Sequence, residues 1–139
     1  MIRNMISSLS MAALLAGGAT ALSAESGESA SMPPASEFNT IQRYAISYDD
    51  PRDVAEFYLR DYGFKPRHAS FEEVEHPTER SMRVVLVTVD GIADDAVKGV
   101  QWRFGMRTSE GNWEAVEAGM RRKCHRGENA GKWTKAVCP

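Results

Sequence analysis

A chain of 139 residues, 42% hydrophobic and 26% charged, has room for one domain at most and for a modest core. Its formal net charge of −2 at pH 7 argues against a general nucleic-acid binder, which needs a basic surface to meet phosphates. Two cysteines leave little scope for thiolate chemistry and put weight on the compartment in which the chain works.

The first 24 residues read as a cleaved secretory signal. Arg3 gives a short positive region, Leu9 to Ala16 an apolar run broken by Gly17 and Gly18, and small residues offer cleavage after Ala21 or Ala24. The apolar run falls short of the ~20 residues that span a bilayer, so it reads as a signal and not as an anchor. A lipoprotein signal places cysteine after a Leu-Ala-Gly-like run; Gly18 stands there, leaving no lipid attachment point. The mature chain of roughly 115 residues is expected to be soluble, without a membrane span, and periplasmic or secreted.

Residues 25–40 (ESGESASMPPASEFNT) are small, polar and proline-containing. They offer too little apolar area to offset the entropy of ordering, so a disordered lead is expected there, ahead of a single domain over 41–139. Ile41 to Tyr48 (IQRYAISY) fits a helical turn and a short strand equally. The clearest helix follows. Asp50 is a good N-cap, Pro51 suits the first helical position, and Asp53 complements the positive end of the helix dipole. Val54, Phe57, Tyr58 and Tyr62 recur at three- and four-residue intervals as one apolar stripe, and Gly63 supplies a left-handed cap with Phe64 folding back on the last turn.

Ser70 to Arg80 (SFEEVEHPTER) reads as a surface loop: it lacks the His-Glu-x-x-His spacing of a zinc protease, and Pro77 disrupts a helix. Met82 to Asp90 (MRVVLVTVD) is β-branched and almost continuously apolar, the signature of a strand covered on both faces. The acidic turn DGIADDA lacks the alternating ligands of a calcium loop. From Gly99, apolar Val100, Trp102, Phe104 and Met106 alternate with polar Gln101, Arg103 and Arg107, then SEGN makes a hairpin turn and WEAVEAGMRRKC returns. Strict pairing of Thr108 with Trp113 places Glu117 on the apolar face beside Phe104. A one-residue bulge near Glu114 and Ala115 removes the conflict. It sets Val116 opposite Met106, Ala118 opposite Phe104 and Met120 opposite Trp102, with Glu117 near Arg103 and Arg107.

One helix followed by a long strand and a curved hairpin gives the α+β class: a main N-terminal helix packed on a curved antiparallel sheet of three or more strands, ending in a disulfide-closed loop. That order, with GNW opening the return strand, is similar to the nuclear-transport-factor-like and cystatin-like cone folds. Val87 to Cys138, with its Asp-rich turn and its Gly-x-Trp, Cys, Gly, Trp, Cys succession, resembles a group of uncharacterised bacterial exported proteins. Neither resemblance implies an activity, since such folds host both enzymes and binders.

The terminal segment RRKCHRGENAGKWTKAVCP holds both cysteines. Haem attachment needs Cys-x-x-Cys-His and a redox pair needs Cys-x-x-Cys; neither spacing occurs. Structural zinc needs about four ligands, more than Cys124, His125 and Cys138 supply. In an oxidising compartment the expectation is a Cys124–Cys138 disulfide, with Trp133 anchoring the loop on the sheet. No metal and no cofactor is expected. Arg121, Arg122, Lys123, Arg126, Lys132 and Lys135 form a candidate anion-binding patch, since arginine forks suit carboxylates and phosphates. The competing reading of these cations is a solvated, partly paired surface. His68 with Asp53 or Asp61 is the candidate acid–base pair of a cone-fold enzyme. No nucleophile elbow, phosphate loop or dinucleotide fingerprint is present. The composition thus favours a small, non-catalytic exported domain that binds an anionic ligand or an envelope protein. The alternatives are an enzyme with its acid–base pair between helix and sheet, and an inhibitor of a secreted hydrolase.

Overall fold

A computed structural model describes residues 32–139. The expected signal segment 1–24 and the lead as far as Ser31 lie outside the described residues.

The rest of the expected lead is folded. Ala35–Glu37 forms a 3-10 turn, and β1 (Asn39–Thr40) pairs antiparallel with Met120 and Gly119. The reason is one residue: Phe38 is only 4% exposed and supplies an apolar anchor that the average composition of the stretch conceals. Ile41 to Tyr48 is neither helix nor regular strand. It runs extended beside the return strand, with the Ile41 N–H donating to the Ala118 carbonyl at 3.0 Å and Tyr48 exchanging both backbone bonds with Trp113.

Helix α1 (Pro51–Asp61) begins and ends as its sequence dictates. The Asp50 carboxylate accepts the Arg52 N–H at 2.8 Å, Gly63 adopts φ 86°, and the Phe64 N–H closes on the Leu59 carbonyl at 3.0 Å. The buried face differs by part of a turn from the expected stripe. Val54 and Tyr58 are buried with Ala55 and Leu59, while Phe57 is half-buried and Tyr62 exposed. Tyr58 packs directly on the sheet, its ring centroid 4.7 Å from that of Phe104. Its hydroxyl accepts the Tyr44 N–H at 2.9 Å, which satisfies the polar end of a side chain otherwise enclosed.

The sheet comprises β2 (Ser70–Glu75), β3 (Met82–Asp90), β4 (Val97–Ser109), β5 (Asn112–Cys124) and β6 (Trp133–Thr134) as well as β1. Its order is β1-β5-β4-β3-β2, all pairs antiparallel, with β6 also on β5. The stretch read as a surface loop is therefore an edge strand, β2. Its acidic side chains tolerate this because the edge is exposed, and Glu73 pairs with Arg83 at 3.2 Å. At the opposite edge, the Tyr48 bridge, β1 and β6 each cover a different part of β5.

The β4–β5 hairpin turns at Glu110 and Gly111, both at positive φ (52° and 82°), which matches the right-handed twist of its strands. The β5 bulge is present, one residue beyond the expected place. Met106 pairs with Ala115 and Gly105 with Glu117, so Val116 is the extra residue; Ala118 still faces Phe104 and Met120 still faces Trp102. The position follows from Gly105. A Cβ there would come within 2.5 Å of the Glu117 carboxylate, so only glycine leaves Glu117 room to lie over the sheet.

Between α1 and the sheet the space is filled by Val54, Tyr58 and Leu59 against Val85, Val87, Trp102, Phe104 and Met106. The disulfide joins Cys124 at the end of β5 to Cys138 and closes the terminal loop.

Candidate functional site

Strand pairing sorts the polar residues onto the sheet face away from α1, because directly opposed residues share a face. Three cross-strand rows there carry the chemistry. The first joins Trp133, Lys123, Gly99 and Asp90: the Lys123 ammonium meets the Asp90 carboxylate at 2.6 Å and lies 4.6 Å from the Trp133 ring centre. Gly99 lies beneath them, where a Cβ would make a tight 3.0 Å contact with the indole. Bonding to Lys123 holds the Asp90 carboxyl below the usual carboxylate range.

The second row is a hydrogen-bonded chain across three strands. Arg121 donates through Nε to Gln101 Oε1 at 2.8 Å, and Gln101 donates to Thr88 Oγ1 at 2.9 Å. Arg121 is only 7% exposed. Its guanidinium lies against the Phe38 ring at 4.6 Å and pairs with Glu37, so the N-terminal segment closes over it.

The third row contains Thr40, Gly119 and Arg103, with Glu117 one step beyond. Arg103 is 4% exposed and donates from Nε to the Pro33 carbonyl at 2.9 Å and from Nη1 to Glu117 Oε2 at 3.2 Å. Among the described residues its Nη2 has no hydrogen-bond partner. The His76 imidazole reaches the same Glu117 oxygen at 3.4 Å through Nε2, and its Nδ1 accepts the Glu79 N–H at 3.2 Å. Because Nδ1 is an acceptor, the ring proton belongs on Nε2, facing the carboxylate. Arg43, exposed, donates from Nη1 to the Val116 carbonyl at 3.0 Å and so satisfies the bulge.

These residues enclose a groove of about 370 Å³. Its lining includes Ala35, Phe38 and Val116, with Thr40, Arg43, Arg103 and Glu117 supplying polar atoms; Ala118 borders it too, but its side chain faces Phe104 on the helix side. Two guanidinium groups face one carboxylate, so the lining carries an excess positive charge. Its apolar side chains adjoin its cations, an arrangement that suits a ligand with an anionic end and an apolar body.

The six basic residues expected to form a patch are not gathered on one surface. Strand alternation divides the run: Arg121 and Lys123 face away from α1 and are engaged with Glu37 and Asp90, whereas Arg122 lies opposite Val100 on the helix side. Arg126 donates to the Pro139 carbonyl at 3.0 Å, and Lys132 and Lys135 are exposed in the terminal loop. Trp133 packs on the sheet as the anchor of that loop. The expected acid–base residues have other partners: exposed His68 accepts from Arg67 at 3.1 Å, and Asp61 accepts the Tyr44 hydroxyl at 2.6 Å. Among the described residues, no group of His, Cys, Asp and Glu is placed to hold a metal ion, and no helix is long and apolar enough to cross a membrane.

Arg103 and Glu117 were recognisable as a polar-face pair, since the bulge argument brings them together. Arg43 and His76 were not: nothing in their neighbourhoods marks them as partners of a strand distant in sequence. Set against known proteins, the chain matches no family model, no curated protein and no solved structure. The groove must be read from its own chemistry.

Proposed function

We propose that the chain is a small exported, non-catalytic binding domain whose working surface is the groove on the sheet face opposite α1. The observation that carries this reading is Arg103, a cation 96% withdrawn from solvent that forms the groove floor beneath the N-terminal segment (4% exposed). A buried guanidinium costs stability unless it is paired; this one is paired with Glu117 and, among the described residues, still keeps an unused donor beside an open concavity. Retaining such a group is the mark of recognition more than of packing. Export rests on the signal pattern at residues 1–24, and the disulfide fits an oxidising compartment.

The kinship suggested by the sequence, to cone folds and to small exported proteins, remains an analogy of architecture. In an enzyme of that shape the acid–base pair belongs between helix and sheet, where Tyr58, Trp102 and Phe104 here fill the space. The reading is tested by affinity capture from an envelope extract with the mature, oxidised protein and its Arg43→Glu variant. A component retained by the first and lost with the second supports the groove. Equal retention by both, or none by either, counts against it.

A further inference from the structure

The groove's own chemistry specifies a ligand class, and the inference rests on the binding reading just given. We infer that the groove takes a small amphiphilic carboxylate, its anionic end between Arg103 and Arg43 and its apolar body along Ala35, Phe38 and Val116.

Three features converge on this. Arg103 Nη2, which has no partner among the described residues, and the exposed Arg43 guanidinium are charge-assisted donors lining the same concavity. Glu117 already occupies Arg103 Nη1 and is itself 42% exposed, so this guanidinium already takes a carboxylate as partner inside the groove. The Phe38 ring, fixed over Gly119 and Arg121, adds an apolar wall that a purely ionic site does not need. Inorganic phosphate would match the arginines alone; the apolar wall favours an anion with a hydrocarbon portion, and Glu117 on Arg103 shows that the groove accommodates a carboxylate.

The charge of Glu117 competes with the ligand, and this gives the proposal an unusual sign. Glu117→Gln keeps an acceptor for Arg103 Nη1 while removing the negative charge, so it should tighten binding. The experiment is isothermal titration of the mature, oxidised protein at low ionic strength with octanoate, acetate and inorganic phosphate. Octanoate is expected to bind most tightly, to weaken about tenfold in Arg43→Gln through loss of a charge-assisted donor, and to strengthen about threefold to tenfold in Glu117→Gln through loss of like-charge repulsion. Both variants alter side chains with substantial exposure, so thermal unfolding should remain cooperative in each. Failure of octanoate to bind, unchanged affinity in both variants, or acetate or phosphate binding as tightly as octanoate each overturns the assignment of an amphiphilic carboxylate. A component captured through Arg43 in the envelope experiment would still uphold the binding reading.

Discussion

Gly119 shows at the scale of one residue how the polar face is assembled. Phe38 crosses β5 directly above it, and a Cβ at this position would lie 2.7 Å from the Phe38 Cβ. Neither atom is the free end of a flexible side chain, so the N-terminal segment itself has to move. Gly119→Ala is expected to lower stability by about 1–3 kcal/mol, the usual range for overpacking, measured as a shift of the urea midpoint. It should also expose Arg121 to solvent, because Phe38 is part of its cover. An unchanged midpoint would mean that the segment lies loosely on the sheet. Arg121 makes a second case. Arg121→Ala leaves the Gln101 acceptor unpaired and removes the contact with Phe38, and is expected to cost about 2–3 kcal/mol as the loss of a buried charged hydrogen bond. Glu37→Gln, which keeps an acceptor for Arg121 on an exposed side chain, should cost less.

At the scale of elements, local rules carried far and then stopped. The cap of α1, the hairpin turn and the inward set of β4 are all consequences of short-range chemistry, and each was legible from residue type and spacing. The bulge was legible as a necessity, because Glu117 has to leave the apolar face, but its position depended on Gly105 across the strand pair. Two elements were hidden for a tertiary reason. β2 reads as an acidic loop, and only pairing with β3 makes it a strand; β1 reads as disordered, and only the docking of Phe38 fixes it. The candidate site was legible in part for the same reason. Cations grouped along β5 look like a patch, yet alternation sends neighbours to opposite faces, and the groove takes Arg43, Arg103 and Glu117 from segments remote in sequence. The terminal loop gives the prediction that belongs here. Cys138→Ser should lower stability by roughly 3 kcal/mol, the entropy value for a loop of this length. It should also release Trp133 from the sheet, detected as a red-shifted tryptophan emission with the α1 core intact.

At the scale of the whole molecule, α1 covers one face of the sheet and the two terminal segments cover the other, where the polar rows hold them. The titrating groups of the described residues mark this division. The Asp90 carboxyl is held low by Lys123 and that of Asp94 by the backbone N–H groups of Val97 and Ala96. Both favour the folded state as carboxylates above the unfolded value of about 4. That contribution disappears as the pH falls through the depressed folded values. Urea midpoints should therefore drop more steeply below pH about 4 in the parent than in Asp94→Asn, which keeps the acceptor without the charge. At the other extreme, the hydrogen bond to Asp61 raises the Tyr44 hydroxyl to about 12. The folded state gains from the protonated phenol below the unfolded value of about 10 and loses that gain as pH rises towards the folded one. Tyr44→Phe should flatten that alkaline decline.

The groove lies beside the N-terminal covering, and the claim that it is the working surface can be mapped residue by residue. The measurement is the backbone amide shift map of the mature, oxidised protein with saturating octanoate. The account predicts shifts concentrated at Thr40, Arg43 and Val116 to Gly119, with the amides of α1 unmoved. Shifts centred on α1, or spread evenly over the surface, would contradict it.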